Sequence, residues 1–221
     1  MPLSSALWSE IDDDIWPAIR AHPFVTGLTD GSLDREAFRF YVVQDAHYLR
    51  EYARALAICG ARAPEVDAIR MFCEHAAGAI VVERELHESF FADFGMSEAD
   101  VAATPMAPTN VAYTSYLVSA AYGGSYAEAV AAVLPCYWIY AEVGKELMAA
   151  GSPDPLYARW IETYGGEEFA AVVSAVLDTV DALGPTLSDA DRAAAARRFV
   201  TTSRYEWMFW EMGRTQEAWP V

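Results

Sequence analysis

Three short segments hold the side chains able to do chemistry. In Leu134-Pro135-Cys136-Tyr137-Trp138-Ile139-Tyr140-Ala141-Glu142, Cys136 and Tyr140 are four residues apart and share a helical face. Pro135 sits inside that helical pattern, where a proline removes a backbone hydrogen bond and costs about 3 kcal/mol. A thiol beside a phenol at such a kink suits a nucleophile, and equally a small buried cysteine packed under an aromatic ring. In Tyr41-Val42-Val43-Gln44-Asp45-Ala46-His47-Tyr48-Leu49, Asp45 and Tyr48 are three apart on a largely apolar stretch. A carboxylate there needs a partner. The amino group and ring nitrogen of a heterocycle would supply one, as would Arg50 or Arg54 in an ordinary ion pair. In the third segment Glu206 stands among Tyr205, Trp207, Phe209 and Trp210. Aromatic neighbours would desolvate it and raise its pKa toward the range useful for proton transfer, unless it lies on the solvated edge of a core stripe. Tyr113, Tyr116 and Tyr164 are further phenols able to stack on a flat ring, each read first as a core tyrosine.

These side chains need helices to hold them. Apolar residues recur at helical spacing almost throughout, with little strict alternation. Helices are expected over residues 4–21, from a cap at Ser32 or Asp34 to 58, then 65–94, 97–103, 109–124, 125–151, 154–164, 167–183 and 188–212. Ser97 with Asp100 makes a capping box, and His22-Pro23 is read as the end of the first helix. The result is an all-α bundle of seven to nine helices in one domain, residues 1–221, without repeats or dividing linkers.

Composition narrows the function. The net charge of −17 repels nucleic acid and anionic lipid. The acidic N-terminal segment lacks a signal-peptide pattern, and no apolar run is read as long enough to span a bilayer, so a cytoplasmic location is expected. Cys59, Cys73 and Cys136 are too scattered for a disulfide framework or a Cys-x-x-Cys zinc site. The residues three before His22, His47, His75 and His87 are Ile19, Gln44, Phe72 and Arg84, so the Glu-x-x-His pattern of di-iron bundles is absent. Glu83 and His87 are four apart, but a solvated face explains them. His22, followed by Pro23, serves better as a helix terminator than as a haem ligand. Phosphate loops and Gly-x-Ser-x-Gly elbows are missing.

Four segments together resemble the thiaminase II (TenA) family. They are His22-Pro23-Phe24-Val25-x-Gly27-Leu28, Phe38-x-Phe40-Tyr41-x-x-Gln44-Asp45 through Tyr48-Leu49, Leu134 through Tyr140, and Tyr205 through Trp210. Their order and approximate spacing extend over nearly the whole chain. The resemblance implies a haem-oxygenase-like helical fold, a homotetramer, one pocket per subunit, and neither cofactor nor metal. It implies Cys136 as nucleophile, Glu206 exchanging protons with a ring nitrogen, and Asp45 on the amino edge. Tyr48, Tyr113, Tyr140 and Tyr164 would surround the ring of an aminopyrimidine or of thiamin. Ala46 departs from the family, which usually has a larger residue there. The competing readings are a metal-dependent oxygenase on the same fold and a helical protein that binds thiamin or its pyrimidine without turnover.

Overall fold

In the computed structural model, all residues except 82–88 are described with their side chains. The weighed pair Glu83 and His87 therefore lies outside the described residues. Eleven α-helices follow one another, with no strand among the described residues: α1 (Leu3–Ser9), α2 (Ile15–Arg20), α3 (Pro23–Asp30), α4 (Arg35–Arg62), α5 (Val66–Phe94), α6 (Glu98–Ala103), α7 (Pro108–Gly123), α8 (Tyr126–Ala150), α9 (Pro155–Gly165), α10 (Glu167–Leu183) and α11 (Asp189–Thr215).

The helix ends follow local chemistry. Ser97, Ser125 and Ser188 each close a capping box, with Asp100, Glu128 and Asp191 reaching back. Gly31, Gly95 and Gly151 stop α3, α5 and α8 at positive φ, which only glycine adopts without strain. The expected first helix over 4–21 is two helices, because the polar run at 12–14 interrupts it and Asp14 caps α2. His22-Pro23 opens a helix as well as ending one: Pro23 takes the first position of α3, and His22 accepts the Phe24 amide through Nδ1 at 3.1 Å.

Helix α8 is the axis of the bundle. Residues 129–135 are all buried, the mark of a core helix apolar on every side. It packs on α4, α7, α9, α10 and α11. The helix runs unbroken through Pro135.

By composition the stretch Pro155–Thr186 is apolar enough and long enough for a membrane span, contrary to the sequence expectation. It is not a single helix: Gly166 is extended between α9 and α10, and α10, with 17 residues, rises only about 26 Å.

One close approach seats α9 on α8. A Cβ built on Gly144 of α8 would lie 2.5 Å from the Tyr164 carbonyl carbon, and one on Gly165 would lie 2.6 Å from the Gly144 oxygen. Two backbones meet there with no room for a methyl group. Gly144→Ala is expected to push α9 off α8 and destabilise the fold by about 1–3 kcal/mol despite alanine's helix propensity. Thermal unfolding checks this; an unchanged midpoint would mean that the contact is soft.

Candidate active site

On α4, Tyr41, Asp45, Tyr48 and Tyr52 recur at the four-, three- and four-residue steps of one helical face, and all four are buried. Their orientation is pinned from the other side of the helix. The buried Gln44 side chain donates to the Pro105 carbonyl (2.9 Å), while its Oε1 accepts from the Ala107 amide (2.9 Å) and Asn110 Nδ2 (3.0 Å). His47 Nε2 meets the Thr104 carbonyl at 3.0 Å. The connector before α7 is thus fastened to α4, which sets where Tyr113 enters the core.

Tyr113 is fully buried and donates a short hydrogen bond, 2.5 Å, to Glu206 Oε1 on α11. It is sandwiched by Tyr205, stacked at 5.1 Å and 7°, and by Tyr48 at 5.1 Å. Glu206 is 1% exposed, which excludes a place on the solvated edge. Burial lifts its pKa to about 8; the nearby charge of Asp45 pushes the same way, and the Tyr113 hydrogen bond pulls against both. At neutral pH Glu206 is therefore mainly a carboxylic acid, able to give a proton.

Cys136 retains accessible surface, while the groups acting on it, Glu206, Asp45, Tyr48 and Tyr52, are all buried. Cys136 is thus the less enclosed member of an otherwise buried set. Burial drives its thiol well above the ordinary range, the Glu206 and Asp45 charges add to that, and the Tyr48 and Tyr52 hydroxyls counter it. Cys136 therefore rests as a thiol. The Tyr48 hydroxyl is buried and acts on the Cys136 thiol without a close hydrogen bond, an arrangement that a bound polar group would complete.

Tyr140 and Tyr164 close the far wall. The Tyr140 hydroxyl meets that of Tyr41 at 3.1 Å, and its ring lies 4.9 Å from Trp210 and 5.0 Å from Tyr164. Tyr164, half-buried like Cys136, packs on Trp160 at 4.7 Å, and Asp45 and Cys136 both act on its hydroxyl. Asp45 thus stands within electrostatic reach of Tyr41, Tyr140, Tyr164, Cys136 and Glu206. Arg54, one of the weighed ion-pair partners, pairs instead with Glu51.

The structure therefore brings Cys136, Glu206, Asp45, Tyr48, Tyr113, Tyr140 and Tyr164 into one region. Tyr113 differs in kind from the others, since its hydroxyl is spent on Glu206. Tyr116 lies one ring further out, 5.8 Å from Tyr205, and its hydroxyl accepts from Arg198 at 3.2 Å. Cys59 is buried, its thiol raised to about 12, and Cys73 is exposed. Sequence reasoning missed Tyr41, Tyr52, Trp160 and Trp210. For the first two the signal was present, in the spacing that runs from Tyr41 to Tyr52 through Asp45 and Tyr48.

Glu206 also links the site to stability. Between its ordinary pKa of 4.5 and about 8 the folded chain keeps a proton that the unfolded chain has released. Its contribution to stability is therefore lost as pH rises through that window, and is level above it. Glu206→Gln keeps the shape without the ionisation. Relative to the native protein the variant is expected to gain stability from about pH 5 to pH 8 in denaturant titrations; parallel pH curves would show an ordinary carboxylate.

Residues 11–216 match the TENA/THI-4/PQQC family. The chain is 36% identical over 204 residues to the aminopyrimidine aminohydrolase of Bacillus subtilis, covering 92% of this chain and 86% of that one. It is 38% identical over 218 residues to the thiamine biosynthesis multifunctional protein ThiED of Corynebacterium efficiens, spanning 99% of this chain but 29% of that longer protein. Among solved structures, a TenA homologue from P. horikoshii superposes with a TM-score of 0.88 at 29% identity, covering 97% of this chain and 99% of that one. A domain with a heme oxygenase-like fold from Shewanella denitrificans shares the architecture at a TM-score of 0.77 and 14% identity, covering 98% and 93%.

Proposed function

This chain belongs to the TENA/THI-4/PQQC family, and on that premise we propose that it is an aminopyrimidine aminohydrolase (thiaminase II) serving thiamin salvage. Its substrate would be 4-amino-5-aminomethyl-2-methylpyrimidine, with thiamin as a second candidate, and its product the 5-hydroxymethyl compound. The observation that carries this reading is the half-buried Cys136 held among buried groups that include a protonated Glu206.

A group on the exocyclic methylene of an intact pyrimidine leaves reluctantly. Addition of the Cys136 sulfur to a ring carbon breaks aromaticity, while Glu206 gives its proton to the ring nitrogen that gains electron density. The electrons of the 4-amino group then expel the amine, which departs with the proton that the thiol has released. Water adds its hydroxyl to the methylene, the sulfur leaves and takes up the proton the water releases, and Glu206 recovers its own proton from the ring nitrogen. Asp45 would accept from the 4-amino edge. Tyr48 would complete its hydrogen bonding on substrate, and Tyr140 and Tyr164 would pack on the ring. Tyr113 would act through Glu206. The aromatic walls keep stray water from the intermediate.

We further propose that the enzyme works in the cytoplasm as a homotetramer. Support for the assembly comes from family resemblance and from apolar side chains left exposed on α5, among them Val66, Ile69, Ile80 and Val81.

Chromatography of hydroxymethylpyrimidine released from the aminomethyl compound, and separately from thiamin, tests the reaction. The native protein is expected to turn over at least one, and Cys136→Ser to lose a factor of about a thousand or more in kcat. Release by the mutant at the native rate would exclude the sulfur as nucleophile; no release by either protein would leave a binding role. Since Glu206 must be protonated, kcat/KM is expected to fall as pH rises through about 8.

A further inference from the structure

The helix that carries Tyr113 begins without a cap of its own. Ala107 holds the cap position of α7 and has no side-chain acceptor for the first amides. The acceptor comes from beyond α11: Glu217 Oε2 takes the Thr109 amide at 2.9 Å, across 108 positions. Two residues on, Trp219 Nε1 donates to the Met106 carbonyl in the connector before α7, also at 2.9 Å. Trp219 stays 52% exposed, so the indole N–H, rather than burial, directs it there. The tail reaches α7 through a tight turn. The Gln216 amide bonds to the Gly213 carbonyl and the Glu217 amide to the Met212 carbonyl, the paired closure of a Schellman motif. Among the described residues Gln216 is the only one other than glycine at positive φ, a strained position that persists where its surroundings hold it.

These contacts complete a series. Tyr116 meets Arg198, Tyr113 meets Glu206 and Thr109 meets Glu217. Positions fall along α7 as they rise along α11, so the two helices lie antiparallel with polar ties at three levels. The middle tie belongs to the site, and the outer two bracket it. Thr109 stands four residues before Tyr113, on the same face of α7 and about 6 Å along its axis. The Gln44 clamp fixes the same connector to α4, but the tail extends directly from the helix that carries Glu206. We propose that Glu217 and Trp219 are positioning residues for Glu206, latching the end of α11 to the start of α7 so that Tyr113 stays within hydrogen-bond reach of the acid. The inference rests on the hydrolase reading above. Both side chains hold backbone atoms of residues 106 and 109, outside the set assigned to substrate, so they act through α7. The 2.5 Å bond between Tyr113 and Glu206 leaves little slack. A retreat of α7 by about half an ångström takes it to the outer limit of such bonds.

The test compares Glu217→Ala, Trp219→Phe and Glu217→Gln with the native protein, each checked for native helical content. Alanine removes the acceptor, phenylalanine removes the indole N–H, and glutamine keeps an acceptor oxygen. Two readouts are taken across pH: kcat and KM for the aminomethylpyrimidine, and the infrared midpoint of the Glu206 carboxyl stretch against a matching Glu206→Gln background. The Tyr113 hydrogen bond pulls the Glu206 pKa down, so loosening it raises that pKa. Asp45, Tyr48, Cys136, Tyr140 and Tyr164 also interact with Glu206, but from α4, α8 and α9, which the latch does not hold. Glu217→Ala is expected to lower kcat about threefold with KM unchanged. It should also move the alkaline limb and the carboxyl midpoint upward by about half a pH unit, a threefold change in the ionisation constant. Trp219→Phe should do less in the same direction, and Glu217→Gln should restore most of both. A folded Glu217→Ala variant with native kcat and a native midpoint would overturn the proposal. A fall in thermal stability alone would overturn it too, since that is the mark of an ordinary helix cap. If the native protein turns over no pyrimidine, the hydrolase reading fails, while the carboxyl midpoints still decide whether the latch acts on Glu206.

Discussion

The structure is organised around a buried carboxyl group that, among the described residues, has no cation beside it. Glu206 sits within an aromatic shell, and among the described residues the influences on its proton are burial, the Tyr113 hydroxyl and the Asp45 charge. Its ionised form is therefore poorly solvated, and the neutral acid prevails over the pH range where most carboxyls are charged. The rest of the site accommodates that choice. Tyr113 holds the acid's direction, Tyr205 and Tyr48 hold Tyr113, and the Gln44 clamp holds the start of α7 from which Tyr113 projects.

A thiol in the same surroundings meets the same field. Burial and two acidic neighbours keep Cys136 protonated at rest, so this is not a cysteine activated by a standing positive charge. Its reactivity has to be created in the site, as substrate displaces water and each proton finds a new owner. That places weight on hydrogen-bond direction, and so on the tyrosine hydroxyls. It also explains why the site is built on long helices tied by close backbone contact, as where Gly144 meets Gly165, rather than on loops.

Much of this was legible in the sequence where a signal is local. The caps at Ser97, Ser125 and Ser188 and the stop at Gly95 fall where residue types place them. Glu206 among aromatic residues announced its raised pKa. Where two local readings compete, the sequence is ambiguous: Pro23 can end one helix or begin the next, and it does both within three residues. Asp12, Asp13 and Asp14 were read through as helix, although Asp14 is a good cap. Pairings across the bundle left no trace in spacing. Tyr113 meets Glu206 across 93 positions and His75 meets Tyr137 across 62, and only packing of whole helices brings such pairs together. The family resemblance supplied the site list, whereas the structure separates residues gathered around Cys136 from those, like Tyr113, that hold another residue.

The central claim is that Glu206 is a neutral acid beside Cys136 at physiological pH. Infrared difference spectroscopy, native protein minus Glu206→Gln across a pH series, observes that proton directly. The account predicts a protonated carboxyl stretch that is present at pH 7 and disappears with a midpoint near 8. A carboxylate signal already complete at pH 6 would contradict it, and with it the role of Glu206 as proton donor.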